Sequence, residues 1–302
     1  MPEKDIRDKA YLKHKDILDL NFIRVPGIYY YRRYYREGLR SHIMEVLKPG
    51  DVEKETKGII KNGIKLYPRA EPLKILRIFR TKFGSLKDAE EELRRVKIIA
   101  TYLAPDYLAG PEEFLVNYRR GEKCEILLCG LQEYVKGELI EPWGHFDDDH
   151  LISILGDMGV DDSAMIISQW SRKIRKNAET FVSKIKQMIM ETNHVPDLAG
   201  VGNLLLTKSG DIKLVDINNI SSVSFDDHTI KLDDRGYPVC DKSIEALFLL
   251  ERKLSGGSLL IDIPPYKIFL DPERMKEVKA IEKKFHESME GSMYYWPSYN
   301  TN

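Results

Sequence analysis

The sequence predicts an α+β fold, in which a small, mostly antiparallel sheet with one helix precedes a larger helical part. Two signals lie in the sheet region. Residues 57–83 have a strand-like pattern around Asn62 and Gly63, a dipeptide typical of a tight hairpin turn, and residues 85–104 have a helical pattern. The third signal is an amphipathic pattern over residues 162–194, which indicates one long helix.

Composition excludes several classes of protein. A chain of 302 residues can form one large domain or two lobes, and its 47 basic and 48 acidic side chains leave a net charge of -1. We therefore expect no strongly acidic or basic partner. The three cysteines are too few and too scattered for a disulfide framework or a zinc site. The charged N-terminus and the lack of a membrane-length apolar run predict a cytoplasmic protein without a membrane span.

The first fifty residues are charged, and we expect them to be mostly helical. Within them, residues 28–40 interleave Tyr and Arg, a pattern that can clamp nucleic acid. Because the chain shows no wider basic face, an amphipathic segment with buried tyrosines and solvated arginines is the favoured interpretation. The sequence thus contains no clear nucleic-acid signal.

The sheet region continues after Pro72 with one strand and then a helix. Ser85 is expected to cap this helix, with Asp88 three residues later. Residues 113–135 read as a further hairpin. The domain organisation expected from these patterns is an N-terminal charged and helical extension over residues 1–56, a β-rich lobe over residues 57–135 and a helical lobe over residues 136–302.

The second half contains a polar set beside two apolar strands. Asp197 follows the long helix, while Asn203 opens and Asp216 closes a hairpin formed by Leu204–Leu206 and Ile212–Val215. Antiparallel pairing brings Asn203 and Asp216 to the same end of that hairpin. Carboxylate and amide oxygens suit Mg²⁺, and phosphoryl transfer requires such ligands. The alternative is that each of the three is an ordinary turn residue.

Two stretches resemble the catalytic and metal-binding loops of the protein-kinase-like superfamily. One reads HVPDLAGVGNLLL and is similar to the HRDLxxxN loop, and the other reads IKLVDINN and is similar to the strand that carries the DFG aspartate. The resemblance implies a two-lobed kinase-like fold and an ATP-dependent phosphotransferase. It implies that Asp197 is the catalytic base and that Asn203 and Asp216 bind Mg²⁺.

Three further segments resemble the same superfamily in the same order. LLCGLQEYVKGE is similar to the last strand and hinge of the smaller lobe, DAEEELRRV to helix αC, and CDKSIEALFLLE to helix αF. The resemblance implies that Glu92 pairs with a strand lysine and that Asp241 supports the catalytic loop. The backbone that would contact adenine comprises Gln132, Glu133, Tyr134 and Val135.

The sequence also departs from that pattern. Arg77 occupies the position of the strand lysine, with Lys74 and Lys65 as alternatives, and only Gly63 marks the expected first hairpin over the phosphates. Asn218 stands where DFG has glycine. The short segment after Asp216 points toward a small-molecule or atypical kinase, although no acceptor is identified.

These departures keep two other interpretations open. The first is a pseudokinase, a nucleotide-binding or scaffolding module without turnover. The second is a purely structural protein.

Overall fold

The computed structural model describes residues 5–35, 38, 40–144, 146–160, 164–217, 219–225, 229–255 and 259–290. The chain divides into two compact units. The first unit comprises Met1–Lys97 and Leu108–Val135, and the second comprises Ile98–Tyr107 and Lys136–Asn302.

The described residues form a mixed α+β structure in which every strand pairing is antiparallel. The α-helices are α1 (His14–Leu18), α2 (Pro49–Lys57), α3 (Leu86–Leu103), α4 (Asp148–Asp157), α5 (Ala164–Thr192), α6 (Val239–Leu250), α7 (Tyr266–Phe269) and α8 (Pro272–Glu290). The strands are β1 (Tyr30–Arg33), β2 (Ser41–Leu47), β3 (Ile59–Lys61), β4 (Ile64–Leu66), β5 (Lys74–Phe79), β6 (Pro111–Arg120), β7 (Lys123–Glu133), β8 (Gly137–Leu139), β9 (His194–Pro196), β10 (Leu204–Thr207), β11 (Ile212–Leu214) and β12 (Ile220–Ser222). A 3₁₀ turn (Ile6–Asp8) and a π-helical turn (Glu251–Ser255) complete the regular structure.

The first unit is built on a five-stranded sheet in the order β1-β2-β5-β7-β6. The expectation that the first fifty residues are mostly helical is wrong, because β1 and β2 belong to this sheet. Arg32 lies directly opposite Glu45 and donates to its carboxylate. The opposite charges of Arg32 and Glu45 therefore neutralise each other across two strands, where a solvated helix was expected.

The predicted hairpin at Asn62 and Gly63 forms, but outside that sheet. The two turn residues have φ values of 51° and 76°, the left-handed conformation that this turn requires. β3 and β4 make a separate two-stranded sheet. The first hairpin of the five-stranded sheet is instead β1–β2, so the placement expected for Gly63 is wrong.

The other elements predicted for the first unit are confirmed. Ser85 caps α3, because its Oγ accepts a hydrogen bond from the backbone N–H of Asp88 at 3.2 Å. The β6–β7 hairpin forms with Gly121 at a φ of 61°. One face of the five-stranded sheet packs on the N-terminal segment in a core that includes Ile6, Leu12, Ile17, Met44, Leu76, Ile78 and Leu127.

The second unit is arranged around α5, the predicted long helix. Its buried stripe recurs every three or four residues and comprises Ile174, Ala178, Phe181, Val182, Ile185, Met188 and Ile189. Trp170 and Asn177 donate side-chain hydrogen bonds to the carbonyls of Lys208 and Gly210 at 3.1 and 2.8 Å. These bonds anchor the turn of the β10–β11 hairpin to the helix.

Two smaller sheets complete the second unit, one in the order β11-β10-β8 and one formed by β12 and β9. The helices predicted near residues 240–254 and 271–290 are present as α6 and α8. Within the described part of the chain, no helix combines the length and the apolar character needed to cross a bilayer.

The core of the sheet yields a stability prediction. Ile78 is 0% exposed on β5, the central strand of the sheet, whereas Ile60 on β3 is 79% exposed. We expect Ile78→Ala to lower the free energy of unfolding by about 2–5 kcal/mol, because it removes buried methyl groups and leaves a cavity. Ile60→Ala is the matched control and should change it by no more than about 0.5 kcal/mol. Chemical denaturation followed by circular dichroism measures both, and equal losses would contradict this placement of the two strands.

Candidate functional site

Asp197 lies where the β9–β12 ladder ends. Pro196 is paired with Ile220, and the backbone N–H of Asp197 donates to the carbonyl of Asn219 at 2.9 Å. α5 ends at Thr192 just before this ladder, and the next residue, Asn193, has a φ of 55°, the left-handed conformation that Asn tolerates after a helix end. The start of the candidate loop is therefore set by backbone bonds on both sides.

The loop from Asp197 to Asn203 closes on itself. Nδ2 of Asn203 donates to the backbone carbonyl of Asp197 at 2.8 Å, and the N–H of Asn203 donates to the carbonyl of Gly200 at 3.2 Å. The side chain of Asn203 packs on Gly200, where a Cβ atom would lie 2.5 Å from that same Nδ2. The loop is one residue longer than the loop that it resembles, yet it still brings Asn203 against Asp197.

Asp216 joins the same group through the hairpin. The N–H of Val215 donates to the carbonyl of Asn203 at 2.8 Å, which places Asp216 next to Asn203 at the end of β11. Burial raises the pKa of Asp197, and the negative charge of Asp216 raises it further. Hydrogen bonds to the carboxylate of Asp197 oppose this rise. The three predicted polar residues thus come together within the second unit.

The carboxylate of Asp197 is held by three donors. Oδ1 accepts from the N–H groups of Ala199 and Gly200 at 3.0 and 2.9 Å, and Oδ2 accepts from Nδ2 of Asn219 at 3.1 Å. Asn219 was not predicted from the sequence as a site residue. Its only signal was its place beside Asp216 in DINN, and only the β9–β12 pairing shows that it faces Asp197. The neighbouring Asn218 lies outside the described residues.

The support for the loop differs from the expected one. Asp241 was expected to hold the loop, but its buried carboxylate pairs with Arg274 on α8, with Oδ1 2.6 Å from Nε and Oδ2 3.2 Å from Nη2. The loop is bonded instead to Ser243, whose Oγ accepts from the N–H of Leu198 at 3.2 Å. Both side chains come from α6, so the helix was identified correctly and the contacting residue was not.

A second support comes from a charged cluster around Lys242. Nε1 of Trp143 donates to the carbonyl of Ala199 at 3.4 Å, and the ammonium of Lys242 lies 4.2 Å from the centre of the Trp143 ring. That ammonium is buried and pairs with Glu245 at 2.8 Å and Glu282 at 3.0 Å. The loop therefore contacts an aromatic ring that packs against the ammonium of a buried ion cluster.

The donor atoms can be tested against the expected metal. Within the described residues, no group of three or more His, Cys, Asp or Glu side chains is placed to hold an ion. Oδ1 of Asn203, the atom that a metal would use, makes no hydrogen bond within the described part of the chain. Mg²⁺ commonly uses one or two carboxylates together with phosphate oxygens and waters. Asp216 and Asn203 therefore fit Mg²⁺ that arrives with a phosphate-bearing ligand.

In the first unit, Arg77 faces a different acid from the one expected. Arg77 is 6% exposed on β5, the third strand of its sheet in chain order. It lies opposite Gly130 on β7, and Gly130 in turn lies opposite Glu113 on β6, so the three residues form one cross-strand row. Burial raises the pKa of Glu113, and the positive charge of Arg77 opposes this rise. Glu92 forms its ion pair with Arg95 at 3.7 Å instead. The ion pair that the structure gives for Glu92 therefore lies within α3, and Glu113 is the acid that sequence reasoning missed.

The alternative cations and Gly63 lie apart from Arg77. Lys74 is partly exposed at the start of β5, and its ammonium lies 3.9 Å from Glu112. Lys65 is on β4, and its ammonium lies over the ring of Tyr67. A Cβ atom at Gly63 would meet nothing within 4 Å. Gly63 therefore lies at an open turn of the separate hairpin, where no described residue packs against it. This surrounding does not support the phosphate-covering role that was expected of Gly63.

The segment expected to contact adenine contains the end of β7. Gln132 is buried and its Nε2 lies 3.5 Å from the carbonyl of Ala109, while the N–H of Glu133 donates to the carbonyl of Gly110 at 3.2 Å. Tyr134 and Val135 follow the strand and are half-buried. The first unit ends at Val135, the residue at which the β-rich lobe was expected to end.

Comparison with known proteins adds no family to this description. No protein-family model matches the chain, and a search of curated proteins gives no match. The functional argument therefore depends on the residues themselves.

Gly200 provides a steric test of the loop. Gly200→Ala would place a methyl group against the amide of Asn203, so we expect Asn203 to be displaced and the protein to be destabilised by about 1–3 kcal/mol. Gly156→Ala is the control, because Gly156 lies in α4, a Cβ added there would meet nothing within 4 Å, and alanine favours helix. Thermal unfolding compares the two variants. If Gly200→Ala unfolds at the temperature of the wild type, the close packing of Asn203 on Gly200 is wrong.

Proposed function

We propose that the protein is a phosphotransferase that uses ATP and Mg²⁺. Asp197 acts as the base, and Asp216 and Asn203 bind the metal. The proposal rests on the residues of the second unit and on the resemblance of their sequence to protein-kinase-like loops. The cytoplasmic location and the adenine contact at Gln132–Val135 are part of the proposal and remain predictions.

One observation supports the proposal most strongly. A loop and a hairpin bring Asp197, Asn203 and Asp216 together, and two hydrogen bonds of 2.8 Å, from Asn203 to Asp197 and from Val215 to Asn203, maintain that arrangement. Two carboxylates and an amide oxygen are a suitable set for phosphoryl transfer, which depends on positioning and charge stabilisation.

Asp197 has the environment of a general base. Burial and the charge of Asp216 disfavour its ionised form and so raise its pKa, which makes the carboxylate a stronger proton acceptor. The two backbone donors occupy Oδ1, and Asn219 fixes the rotation of the carboxylate through Oδ2. In this proposal, Oδ2 accepts the proton of the acceptor hydroxyl as the hydroxyl oxygen bonds to the terminal phosphorus of ATP, and the bond from that phosphorus to the bridging oxygen breaks to release ADP.

Asp216 and Asn203 have the complementary role. The carboxylate of Asp216 supplies negative charge, and Oδ1 of Asn203 supplies a neutral oxygen whose direction is set by the bond from Nδ2 to Asp197. Mg²⁺ bound there would neutralise the charge on the phosphates and orient them. It would also compensate the charge of Asp216 and so moderate the raised pKa of Asp197.

A pseudokinase is the second candidate, and one observation favours it. The three hydrogen bonds to the carboxylate of Asp197 tie together residues 197, 199, 200 and 219. A loop-capping acid of this kind would be useful without any turnover. The ion pair that the structure gives for Glu92 is with Arg95 on the same helix, whereas the resemblance implies a pair with a strand cation. In this alternative the chain binds nucleotide or a partner without transferring phosphate.

Ligand-induced stabilisation tests metal and nucleotide binding. We expect ATP with Mg²⁺ to stabilise the wild type by about 2.7 kcal/mol at a hundred times its Kd. Asp216→Asn should lose most of the Mg²⁺-dependent part, because an amide lacks the charge that holds a hard cation. Asp262→Asn is the matched control, since Asp262 is exposed in the same unit. Thermal shift with and without Mg²⁺ is the measurement. No stabilisation by any purine nucleotide would reject the phosphotransferase and the nucleotide-binding form of the pseudokinase.

Asp197→Asn separates the enzyme from the pseudokinase. We expect turnover of ATP, measured as phosphate release or autophosphorylation, to fall about 10²–10⁴-fold with the loss of the base. The nucleotide-dependent stabilisation should persist. The new amide fits the site, because its oxygen can accept from Ala199 and Gly200 and the amide of Asn219 can rotate to accept from it. Unchanged turnover would show that Asp197 only caps the loop.

The pH dependence gives the same role an independent readout. A base must be deprotonated, so kcat/KM should fall as the pH drops through the pKa of Asp197. Because burial and Asp216 raise that pKa, the acid limb should lie above the pH at which an ordinary aspartate titrates. In Asp197→Asn, the residual activity should lose this limb. An identical limb in the variant would assign it to another group.

A further inference from the structure

The hairpin formed by β3 and β4, with its flanking residues, is an exposed part of the first unit. We call residues 57–69 the basic hairpin. Every residue from Ile59 to Arg69 is exposed. The exposed fractions of its large apolar side chains are 36% for Ile59, 79% for Ile60, 63% for Ile64, 41% for Leu66 and 59% for Tyr67. Single exposed apolar residues are ordinary, but five within one hairpin form a patch of the kind that marks an interaction site.

The charge of the basic hairpin has one sign. It contains no Asp or Glu, and its cations are Lys57, Lys61, Lys65 and Arg69. Two of these cations already face acids of the neighbouring structure, since Lys57 pairs with Glu53 at 2.6 Å and Arg69 lies 3.8 Å from Glu45. Lys61 and Lys65 lie nearest the turn, and within the described residues neither pairs with an acid, although the Lys65 ammonium lies 5.3 Å from the centre of the Tyr67 ring. Both can therefore meet an external anion.

The apolar side chains occupy both faces of the two-stranded ribbon. Paired residues of an antiparallel ribbon lie on the same face. Ile59 pairs with Leu66 and Lys61 with Ile64, so one face has three aliphatic side chains and one lysine. Ile60 pairs with Lys65 on the opposite face. A flat partner surface could cover only one face, whereas a medium that surrounds the turn would bury both.

The composition distinguishes between two anionic partners. Nucleic acid is bound by stacking on aromatic side chains and arginine, but the apolar residues near this turn are aliphatic and the cations nearest it are lysines. Aliphatic side chains that enter the boundary of the acyl chains, with lysines at the level of the headgroups, match an anionic membrane surface.

We propose that the basic hairpin docks the protein on anionic lipid bilayers. The turn at Asn62 and Gly63 enters the interface, Ile60 and Ile64 contact the acyl chains, and Lys61 and Lys65 bind lipid phosphates or carboxylates. This inference is independent of the proposed phosphotransferase activity, because it uses only residues 57–69.

Vesicle sedimentation tests the proposal on the full chain. One set of vesicles contains phosphatidylcholine alone, and the other contains phosphatidylcholine with phosphatidylserine at about one lipid in three. We expect the wild type to bind the anionic vesicles, and more weakly at high salt. The variants Lys61→Glu with Lys65→Glu, and Ile60→Ser with Ile64→Ser, should each weaken binding at least about ten-fold.

Matched controls change the same charge or apolar surface elsewhere. Lys276→Glu with Lys279→Glu makes the same change of net charge at exposed positions of α8. Leu260→Ser with Ile261→Ser removes two aliphatic side chains that are 62% and 48% exposed. Both controls should bind the anionic vesicles like the wild type. Circular dichroism should show every variant folded, because the substituted side chains are exposed.

Four results would overturn the proposal. The first is no binding of the wild type to anionic vesicles. The second is an equal loss in a hairpin variant and its control. The third is a wild type that self-associates through the hairpin, seen as a dimer that the Ile60→Ser and Ile64→Ser variant converts to a monomer. The fourth is binding that depends on Lys61 and Lys65 but is unchanged in the Ile60→Ser and Ile64→Ser variant, together with binding of single-stranded RNA that depends on the same lysines. This result would assign the surface to nucleic acid.

Discussion

The hydrogen bond from Nδ2 of Asn203 to the backbone carbonyl of Asp197 is the constraint on which the candidate site depends. It closes a loop whose two ends belong to different ladders, β9–β12 at Asp197 and β10–β11 at Asn203. The bond requires glycine at position 200, because any Cβ there would overlap the amide that donates it. Gly200 and the amide of Asn203 thus determine whether Asp197 and Asn203, which follow and precede strands of two different sheets, lie close together.

The environment of Asp197 contains two opposing effects. Burial and the charge of Asp216 favour the protonated carboxyl, while three hydrogen bonds favour the carboxylate. The same bonds order the loop and fix the position of the Asp197 carboxylate. A protein that needed only an ordered turn would gain little from placing a second acid close to the first.

In the first unit, the buried cation Arg77 lies beside a different acid from the one that the resemblance implies. Arg77 lies in the strand and at the position that the resemblance assigns to the lysine, but the acid in its row of the sheet is Glu113 on β6, not Glu92 on α3. Cross-strand neighbours lie at fixed distances, whereas a helix residue reaches a strand only if the helix has the required rotation. The sheet therefore provides the more direct compensation for a buried guanidinium. The basic hairpin lies outside this sheet and keeps its apolar side chains exposed.

Local patterns were sufficient for the elements that depend on neighbours in sequence. Asn62-Gly63 determined a turn, Ser85 a helix cap, and the stripe from Ile174 to Ile189 a long helix, because each signal acts within a few residues. The grouping of Asp197, Asn203 and Asp216 was also predictable, since hairpin pairing follows from alternation and a turn. Tertiary structure alone decided that β1 and β2 join the sheet, that Asn219 and Ser243 hold the loop, and that Glu113 faces Arg77. Those contacts join residues far apart in the chain, and which of several similar polar side chains meets a partner is set by strand register and helix rotation, which no local pattern encodes.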